Sequence, residues 1–372
     1  MTAIIQTLNA LCQKASMQPG LVVTIDHWSL FVESNSAPLL NYLAEYFAGL
    51  AEFHHTPPLG VPSITAIEIE QATELDAIYH LPFSDWQREP GKTGRKEAVY
   101  DFTNDTGQPQ RLVHKIKTGL VLWQSAQRLA CLGALNQHPN QVINFILSQY
   151  LNHWQNQDWL LGHCAALQLN DQRGIAIAGV SGGGKSTLML KLLEDAQAFI
   201  SNDRILIQAN QQQVMMRGIP KQPRINPGTI IHNPKLHRLI DDHQPYLALA
   251  EAELRALEEK YDAPVCQLYK GVNYQPSARL DQLYLLNWQV NSTEPTRIAR
   301  VNLAQRPELL AGVMKSAGVF YQHRDQTFQT NGQTPDPLAY QTLLAQTSVF
   351  EITGKLDFNL AKEAIMNNTL NI

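Results

Sequence analysis

A chain of 372 residues with 44% hydrophobic and 17% charged side chains is long enough for two domains and apolar enough to give each a core. Its 29 basic and 33 acidic residues leave a net charge of −4, which excludes a general electrostatic attraction to nucleic acid or to an anionic membrane surface. No apolar run approaches the roughly 20 residues of a membrane span, and the N-terminus lacks the pattern of an export signal. We therefore expect a cytoplasmic protein without nucleic-acid or membrane partners.

The first part of the chain, 1–155, predicts a mixed α+β domain whose role the sequence does not show. Strand and helix patterns alternate there with loops rich in Pro and Gly. The predicted elements are two strands around a turn at 20–36, a helix at 37–50, strands at 63–70 and 97–103, and a helix at 140–157.

The second part, 156–372, predicts an α/β domain that ends in a strand and a helix. The four cysteines of the chain are far apart and show no metal-ligand spacing. The predicted elements are strands at 162–169, 174–180, 198–201, 204–209, 214–219, 282–288 and 348–354, and helices at 185–196, 248–261, 306–317 and 357–366.

The sequence GVSGGGKS at 179–186 lies between a predicted strand and a predicted helix. It satisfies G-x-x-x-x-G-K-[ST], the phosphate-binding loop or P-loop. Backbone N–H groups can converge on a triphosphate only where residues adopt positive φ and lack a Cβ, and the start of the following helix adds its free amides. The residues expected to bind the nucleotide are Gly179, Ser181, Gly182, Gly183, Gly184, Lys185, Ser186 and Thr187.

Two side chains of this loop have a defined chemistry in such sites. Lys185 is expected to reach the β- and γ-phosphates, and Ser186 to ligate Mg²⁺. The sequence therefore predicts ATP and Mg²⁺ as cofactors. It does not fix the reaction, because kinases, transporters and other NTPases share this loop.

Asp203 comes directly after a predicted strand, where a carboxylate can face the nucleotide, hold Mg²⁺ or accept a proton from a substrate. The alternative is an aspartate of a surface turn that precedes a hairpin.

The segments GHCAALQLNDQRGIAIAGVSGGGKSTLMLKLL and AFISNDRILI together resemble the catalytic domain of HPr kinase/phosphorylase, the bacterial enzyme that phosphorylates a serine of the phosphocarrier protein HPr. SNDR and RGIPKQPRINPGTI look like the related group called HprK-related kinase B, as does VESNSAPLLNYLAEYF near the N-terminus. The motif resemblance covers about 160–230. It implies a P-loop catalytic domain with the HPr kinase/PEP carboxykinase-like fold at 156–372, preceded by the α+β domain.

The resemblance also implies roles for residues outside the loop. His163 matches a histidine that lies one strand before the loop, and Asp203 matches one acid of an Asp-Asp pair. Asn202 stands where the other acid would be, and an amide can ligate a metal through its oxygen but cannot act as a base. Ser186, Asn202 and Asp203 are thus the candidate Mg²⁺ ligands, Asp203 is the base candidate of the pair, and the reverse phosphorolysis is in doubt. The alternative for His163 is a satisfied histidine of the core.

A basic segment framed by prolines follows, with Arg217, Lys221 and Arg224. Because proline restricts the backbone, these cations lose little entropy on binding a phosphate or an acidic substrate. Arg224 is the expected charge-stabilising contact during transfer. The alternative is a solvated basic face.

These observations predict a kinase that transfers the γ-phosphate of ATP to a hydroxyl, with a serine on a small protein as the expected acceptor. Catalysis of this kind depends on positioning and charge neutralisation. Two alternatives stay open: a small-molecule hydroxyl kinase on the same fold, and a regulatory module that binds ATP without transferring phosphate. The resemblance to ring-forming HPr kinases also leaves a homo-oligomer open.

Overall fold

The structure is a computed structural model, and the described residues are 2–13, 18–88, 94–180, 182–210, 213–250, 253–254, 257, 259–289 and 291–367. The chain divides into two compact units. Unit 1 comprises Met1–Gln157 and Ser316–Thr334, and unit 2 comprises Asp158–Lys315 and Pro335–Ile372. Within the described residues, no helix combines the length and apolarity that a membrane crossing requires.

Unit 1 is an α+β unit built on one mixed sheet of nine described strands. The strands are β1 (Gly20–Ile25), β2 (Trp28–Ser34), β3 (Ala51–His54), β4 (Ser63–Glu68), β5 (Ser84–Asp85), β6 (Glu97–Thr103), β7 (Pro109–Lys115), β8 (Val121–Ser125) and β9 (Leu129–Gly133), in the order β3-β1-β2-β4-β9-β8-β7-β6-β5. The helices are α1 (Thr2–Gln13), α2 (Ala37–Tyr46), α3 (Asp76–Tyr79) and α4 (Pro139–Gln155), with a 3₁₀ turn at Ala72–Leu75. The elements predicted for this part of the chain are confirmed to within a few residues at most of their ends.

Local sequence explains the start of α2. The Ser36 side chain accepts a hydrogen bond from the backbone N–H of Leu39 at 3.2 Å, which is the N-cap arrangement worth about 1 kcal/mol. Leu39, Leu40 and Leu43 are buried along one side of the helix. The apolar residues whose spacing predicts this helix therefore form its buried face.

The inserted segment Ser316–Thr334 belongs to unit 1, whereas the sequence predicts it as part of 156–372. Arg111 on β7 has a side chain only 3% exposed. Its guanidinium donates to the carbonyl oxygens of Val319 at 2.9 Å and Gln329 at 3.2 Å, besides pairing with Asp101. A buried guanidinium is stable only when its donors are paired, so these carbonyls fix the segment in unit 1. The segment has no periodic pattern from which this could be predicted.

Unit 2 contains three described sheets. Its strands are β10 (Leu160–Gly162), β11 (Cys164–Leu169), β12 (Gly174–Gly179), β13 (Ala196–Ser201), β14 (Ile205–Asn210), β15 (Gln213–Gly218), β16 (Arg224–Ile225), β17 (Tyr261–Asp262), β18 (Asn273–Tyr274), β19 (Ser277–Arg279), β20 (Gln282–Leu286), β21 (Arg297–Arg300) and β22 (Ser348–Thr353). They form a seven-stranded sheet in the order β18-β13-β11-β12-β20-β22-β21, a four-stranded sheet in the order β10-β14-β15-β19, and the pair β16-β17.

The helices of unit 2 lie on both sides of the seven-stranded sheet. They are α5 (Lys185–Leu192), α6 (Pro227–Ile231), α7 (Gln244–Leu247), α8 (Val265–Leu268), α9 (Pro337–Leu344) and α10 (Phe358–Asn367), with 3₁₀ helices at Leu193–Asp195, Pro234–Leu239 and Pro307–Gly312. Side chains alternate across a strand, so Ile175 and Ile177 join the core beneath α5 and α10. Ala176 and Ala178 join the core shared with the four-stranded sheet and α9.

One predicted helix is wrong. Residues 306–317 form only the short 3₁₀ helix Pro307–Gly312, because the backbone beyond it turns to pair with another strand: Met314 bridges Gly162 in antiparallel fashion. Part of the helix predicted at 248–261 lies outside the described residues. Of the described part, 253–254 is helical, 248–250 is not, and Tyr261 begins β17, which pairs with β16.

Gly174, the first residue of β12, provides a test of this sheet. A Cβ at position 174 would lie 1.7 Å from the carbonyl oxygen of Arg279. We expect Gly174→Ala to destabilise the protein by about 3 kcal/mol, the upper end of the overpacking range, because backbone cannot rotate aside. The control Gly228→Ala meets only the Leu254 Cβ at 3.7 Å. A urea midpoint of Gly174→Ala equal to that of the control would contradict the described packing.

Candidate nucleotide site

The strand register of unit 2 gathers the predicted site residues at one edge of the seven-stranded sheet. β11 pairs antiparallel with both β12 and β13, and Cys164 lies opposite Ala178. Consequently His163, which precedes β11, and Gly179, which ends β12, lie at the same edge. Asn202, which follows β13, lies there too.

The loop at 179–185 joins β12 to α5 and depends on glycine for its conformation. The φ angles are +151° at Gly179, +80° at Gly182 and +89° at Gly184, the N-cap residue of α5. Side chains with a Cβ rarely adopt these angles without strain. Ser181, one of the expected nucleotide contacts, lies outside the described residues.

Close packing is a second reason for glycine in this loop. A Cβ at Gly179 would lie 3.0 Å from the carbonyl oxygen of Leu286, and a Cβ at Gly312 would lie 3.0 Å from the Gly179 Cα. Three backbone segments therefore meet where β12 ends. The glycines therefore permit both the turn of the backbone and the close packing of these three segments.

Two aromatic side chains hold the end of the loop that leads into α5. The Trp288 indole Nε1 donates to the Gly183 carbonyl oxygen at 2.9 Å, and its ring packs edge-on against Phe358, with ring centroids 4.9 Å apart. A Cβ at Gly184 would lie 2.8 Å from the Phe358 ring. Sequence patterns give no indication of these contacts, because both aromatics come from distant parts of the chain.

Lys185 is the first residue of α5 and is only 9% exposed. Its ammonium group donates to the carbonyl oxygens of Gly179 at 2.8 Å and Val180 at 3.3 Å. A buried ammonium needs such partners. The lysine is thus folded over its own loop, with its charge where the loop would receive phosphate.

The other two loop side chains differ in their surroundings. Ser186 is half-buried in the first turn of α5. The Thr187 hydroxyl lies 3.0 Å from the hydroxyl of Thr229 on α6, so it links the two helices.

His163 and Asp203 form an ion pair, with 3.4 Å between Nε2 and Oδ1. Burial alone would raise the pKa of the Asp203 carboxyl, but the hydrogen bond from His163 and the positive charges of Arg204 and Lys315 outweigh it. The pKa of Asp203 therefore lies well below its ordinary value, and the group is a carboxylate at neutral pH. The backbone N–H of His163 donates to the Val313 carbonyl oxygen at 2.7 Å, which fixes the position of the histidine backbone.

Asn202 has a buried side-chain oxygen, Oδ1, for which the described residues supply no hydrogen-bond partner. Asp203 is the next residue along the chain, and Mg²⁺ prefers oxygen ligands of both kinds, amide and carboxylate. Within the described residues, this site included, no group of three or more His, Cys, Asp or Glu side chains could hold a metal. Magnesium usually retains water and phosphate oxygens as ligands, so these few protein oxygens fit it.

Cys164 lies between the two halves of the site, because it follows His163 directly and pairs across the strands with Ala178, the residue before Gly179. Its thiol is buried, and burial raises its pKa to about 12; the charge of Lys185 opposes this rise and that of Asp203 adds to it. Both charges thus act on one thiol. Cys164 was not among the predicted site residues, although it follows His163 directly.

Arg224 lies on β16, in the two-stranded sheet, and its described ion-pair partner is Asp262. Their Nε and Oδ1 atoms are 3.4 Å apart, and both side chains are about half exposed. Exposed pairs of this kind contribute about 0–1 kcal/mol. The catalytic role expected of Arg224 remains a prediction. Arg204, the last residue of SNDR, lies beside Asp203 with 3.5 Å between Nε and Oδ2, and the positive charge of Lys315 also lowers the pKa of Asp203.

No protein-family model matches the sequence, and no curated protein matches it. Among solved structures, the chain is similar to the Hpr(Ser) kinase/phosphatase from Coxiella burnetii, with 12% sequence identity and a TM-score of 0.29. The alignment covers 56% of this chain and 90% of that chain. At that TM-score the superposition does not establish a shared fold, so the functional assignment depends on the residues of this chain.

The depressed pKa of Asp203 has a testable cause. His163→Ala should raise this pKa, because it removes the hydrogen bond that favours the charged carboxyl. A lowered pKa stabilises the folded state at pH values above about 4, the ordinary pKa of an aspartate. This contribution is lost as the pH falls toward the folded-state pKa. Carbon-13 NMR of labelled aspartate should show Asp203 ionised down to about pH 4 in the wild type and titrating at higher pH in the variant. His27→Ala, at an exposed site of unit 1, is the control. Equal Asp203 titration in both variants would contradict the assigned cause.

Proposed function

We propose that the chain is an ATP-dependent kinase that transfers the γ-phosphate to a hydroxyl, with a serine on a small protein as the acceptor. One observation carries this proposal: the glycine loop with Lys185 lies at the same sheet edge as the His163–Asp203 pair. A loop suited to phosphate and a carboxylate suited to a metal ion or a hydroxyl are the two parts that phosphoryl transfer requires.

Nucleotide binding would begin with Lys185. Its two carbonyl partners, Gly179 and Val180, belong to the loop itself. Phosphate oxygens are stronger partners for an ammonium than carbonyls, because both groups are charged. The triphosphate would therefore replace the carbonyls while the loop amides and the start of α5 complete its shell.

In the transfer, the acceptor oxygen forms a bond to the γ-phosphorus as the bond from that phosphorus to the β–γ bridging oxygen breaks. ADP leaves with the electron pair, and the hydroxyl proton passes to Asp203 and then to solvent. Ser186, Asn202 and Asp203 would hold Mg²⁺, which supplies charge neutralisation at the phosphates. The low pKa makes Asp203 a weak base. A loose transition state tolerates this, because little charge develops on the attacking oxygen.

The pair Asn202–Asp203 favours the forward reaction, transfer of phosphate from ATP, over the reverse reaction. The reverse reaction, attack by inorganic phosphate on a phosphorylated product, would benefit from two carboxyl groups that share a proton. The Asn202 side chain is an amide and cannot share a proton as a carboxyl group does. We therefore propose a kinase without appreciable phosphorolytic activity.

A regulatory ATP-binding module is the second candidate, favoured by the engagement of Asp203 with His163 and Arg204. Incubation with γ-labelled ATP and soluble extract, separated above and below peptide size, distinguishes the candidates. Label in a protein supports the proposal, label in small solutes indicates a small-molecule kinase, and ATP binding without transfer indicates the module.

Lys185→Ala should weaken ATP binding by at least about tenfold and abolish transfer, because it removes the cation that would pair with the phosphates. Lys191→Ala is the matched control. Lys191 lies on the same helix and its ammonium donates to Asn359. Calorimetric titration with ATP and Mg²⁺ measures both variants; wild-type affinity in Lys185→Ala would show that the loop is purely structural.

Asp203→Asn should lower the transfer rate by a factor on the order of 10² to 10⁴, because it removes a charged ligand proposed for Mg²⁺ together with the acceptor of the hydroxyl proton, while ATP still binds. Asp171→Asn is the control, since Asp171 lies in the turn between β11 and β12 and pairs with Arg173. Single-turnover transfer from labelled ATP gives the rate. An unchanged rate in Asp203→Asn would remove Asp203 from the mechanism.

A further inference from the structure

Trp288 lies just beyond β20, at the sheet edge that carries the glycine loop. β20 pairs in parallel with β12, and its last residue, Leu286, is in register with Gly179. Because β12 and β13 both pair antiparallel with β11, the carboxyl ends of β13, β12 and β20 lie at one edge. Ligands of open α/β sheets bind outside such strand ends. Trp288 is therefore at the edge of unit 2 where a ligand is expected.

The order of the strands gives the direction in which a nucleotide would extend from the loop. Along the edge the order is β13-β11-β12-β20, so Asp203 lies on one side of the loop and Trp288 on the other. Three strand spacings, about 14 Å, separate β13 from β20. Under the proposed function the γ-phosphate, which is transferred, lies on the Asp203 side. The nucleoside, at the other end of the triphosphate, would then lie on the Trp288 side.

The backbone on both sides of Trp288 is fixed to the end of β22. The Asn287 N–H donates to the Ile352 carbonyl oxygen at 2.9 Å. The Gln289 N–H donates to the Gly354 carbonyl oxygen, also at 2.9 Å. A side chain that extends from a fixed backbone loses little entropy when a ligand packs on it.

The ring of Trp288 is also fixed, yet it keeps exposed surface. Nε1 donates to the Gly183 carbonyl oxygen at 2.9 Å, and the ring packs edge-on against Phe358. The side chain is nevertheless only partly buried. Since the N–H is the single polar group of an indole and is already bonded, the ring surface that remains exposed is apolar.

Val180 adds a second apolar side chain next to Gly183. It is 66% exposed, and its Cγ2 would lie 3.7 Å from a Cβ at position 183. Phosphate groups bind through backbone N–H groups and the Lys185 ammonium, so they make no use of an exposed valine or an indole ring. The apolar surface beside the loop suits a different part of the ligand.

We propose that Trp288, with Val180 on the other side of Gly183, forms a stacking surface for the base of the nucleotide, so that the phosphate donor is a nucleoside triphosphate and inorganic polyphosphates are poor donors. This inference rests on the proposed kinase function. Each base has an aromatic face, and stacking of that face on an indole would add affinity that a bare polyphosphate lacks.

The test compares two ligands on the full chain by calorimetric titration, each with Mg²⁺. One is AMP-PNP, an ATP analogue that does not transfer phosphate, and the other is inorganic tripolyphosphate, which has neither ribose nor base. The wild type should bind AMP-PNP about tenfold or more tightly than tripolyphosphate, because stacking of one base on an aromatic ring contributes that much affinity.

Trp288→Leu should reduce this preference by about tenfold, while tripolyphosphate binds within a few-fold of its wild-type affinity. The ratio of the two affinities is the readout, because damage to the loop would weaken both ligands alike. Trp288→Phe, which keeps an aromatic ring, should retain part of the preference. Phe53→Leu, at a half-exposed aromatic position of unit 1, is the control and should match the wild type.

Tryptophan fluorescence decides the case in which Trp288→Leu loses both ligands. A base stacked on the indole should quench the emission of the wild type when AMP-PNP binds, and tripolyphosphate should not. In Trp288→Phe this quenching should be lost although AMP-PNP still binds.

An equal preference for AMP-PNP in the wild type and Trp288→Leu, or undiminished quenching in Trp288→Phe, would overturn the stacking surface while the kinase proposal stands. Wild-type affinity for tripolyphosphate equal to that for AMP-PNP would also overturn the stacking surface alone. A wild type that binds neither ligand would overturn both proposals.

Discussion

The register of three strands determines the geometry of the candidate site. β12 and β13 both pair with β11, so the strand ends that carry the glycine loop and Asn202 lie beside the strand start that carries His163. A slip of one residue would turn every side chain of a strand to the opposite face. The alternation of Ile177 and Ala178 between two separate cores makes such a slip costly. Core packing therefore fixes the distances on which the proposed chemistry depends.

The loop at that edge satisfies two requirements with the same residues. It needs positive φ at Gly179, Gly182 and Gly184, and it needs open space where Leu286, Gly312 and Phe358 approach. Lys185 meanwhile finds its partners in the loop's own carbonyls. Under the proposed function this arrangement would be pre-organised for phosphate, since binding would exchange the partners of one ammonium without refolding the backbone.

Local signals account for much of what the sequence predicts. The glycine loop, its flanking strand and helix, and the two strands that flank Asn202 and Asp203 are encoded by short runs of neighbouring residues, and the structure has them where expected. The failures are long-range: Ser316–Thr334 joins unit 1 through a buried arginine, and the helix predicted at 306–317 ends at Gly312 because Met314 bridges Gly162. Neither depends on periodicity, so the sequence contains no pattern that marks them. The role predicted for Arg224 from its proline-framed segment stays a prediction; in the structure its side chain is about half exposed and pairs with Asp262.

The central claim is that the loop at 179–186 holds the phosphates of ATP through Lys185. A crystal structure of the chain with Mg²⁺ and AMP-PNP tests it most directly. The account predicts the β- and γ-phosphates within the loop, with the Lys185 ammonium moved from the carbonyls of Gly179 and Val180 onto phosphate oxygens. Nucleotide bound elsewhere, or bound in the loop with Lys185 still on those carbonyls, would contradict it.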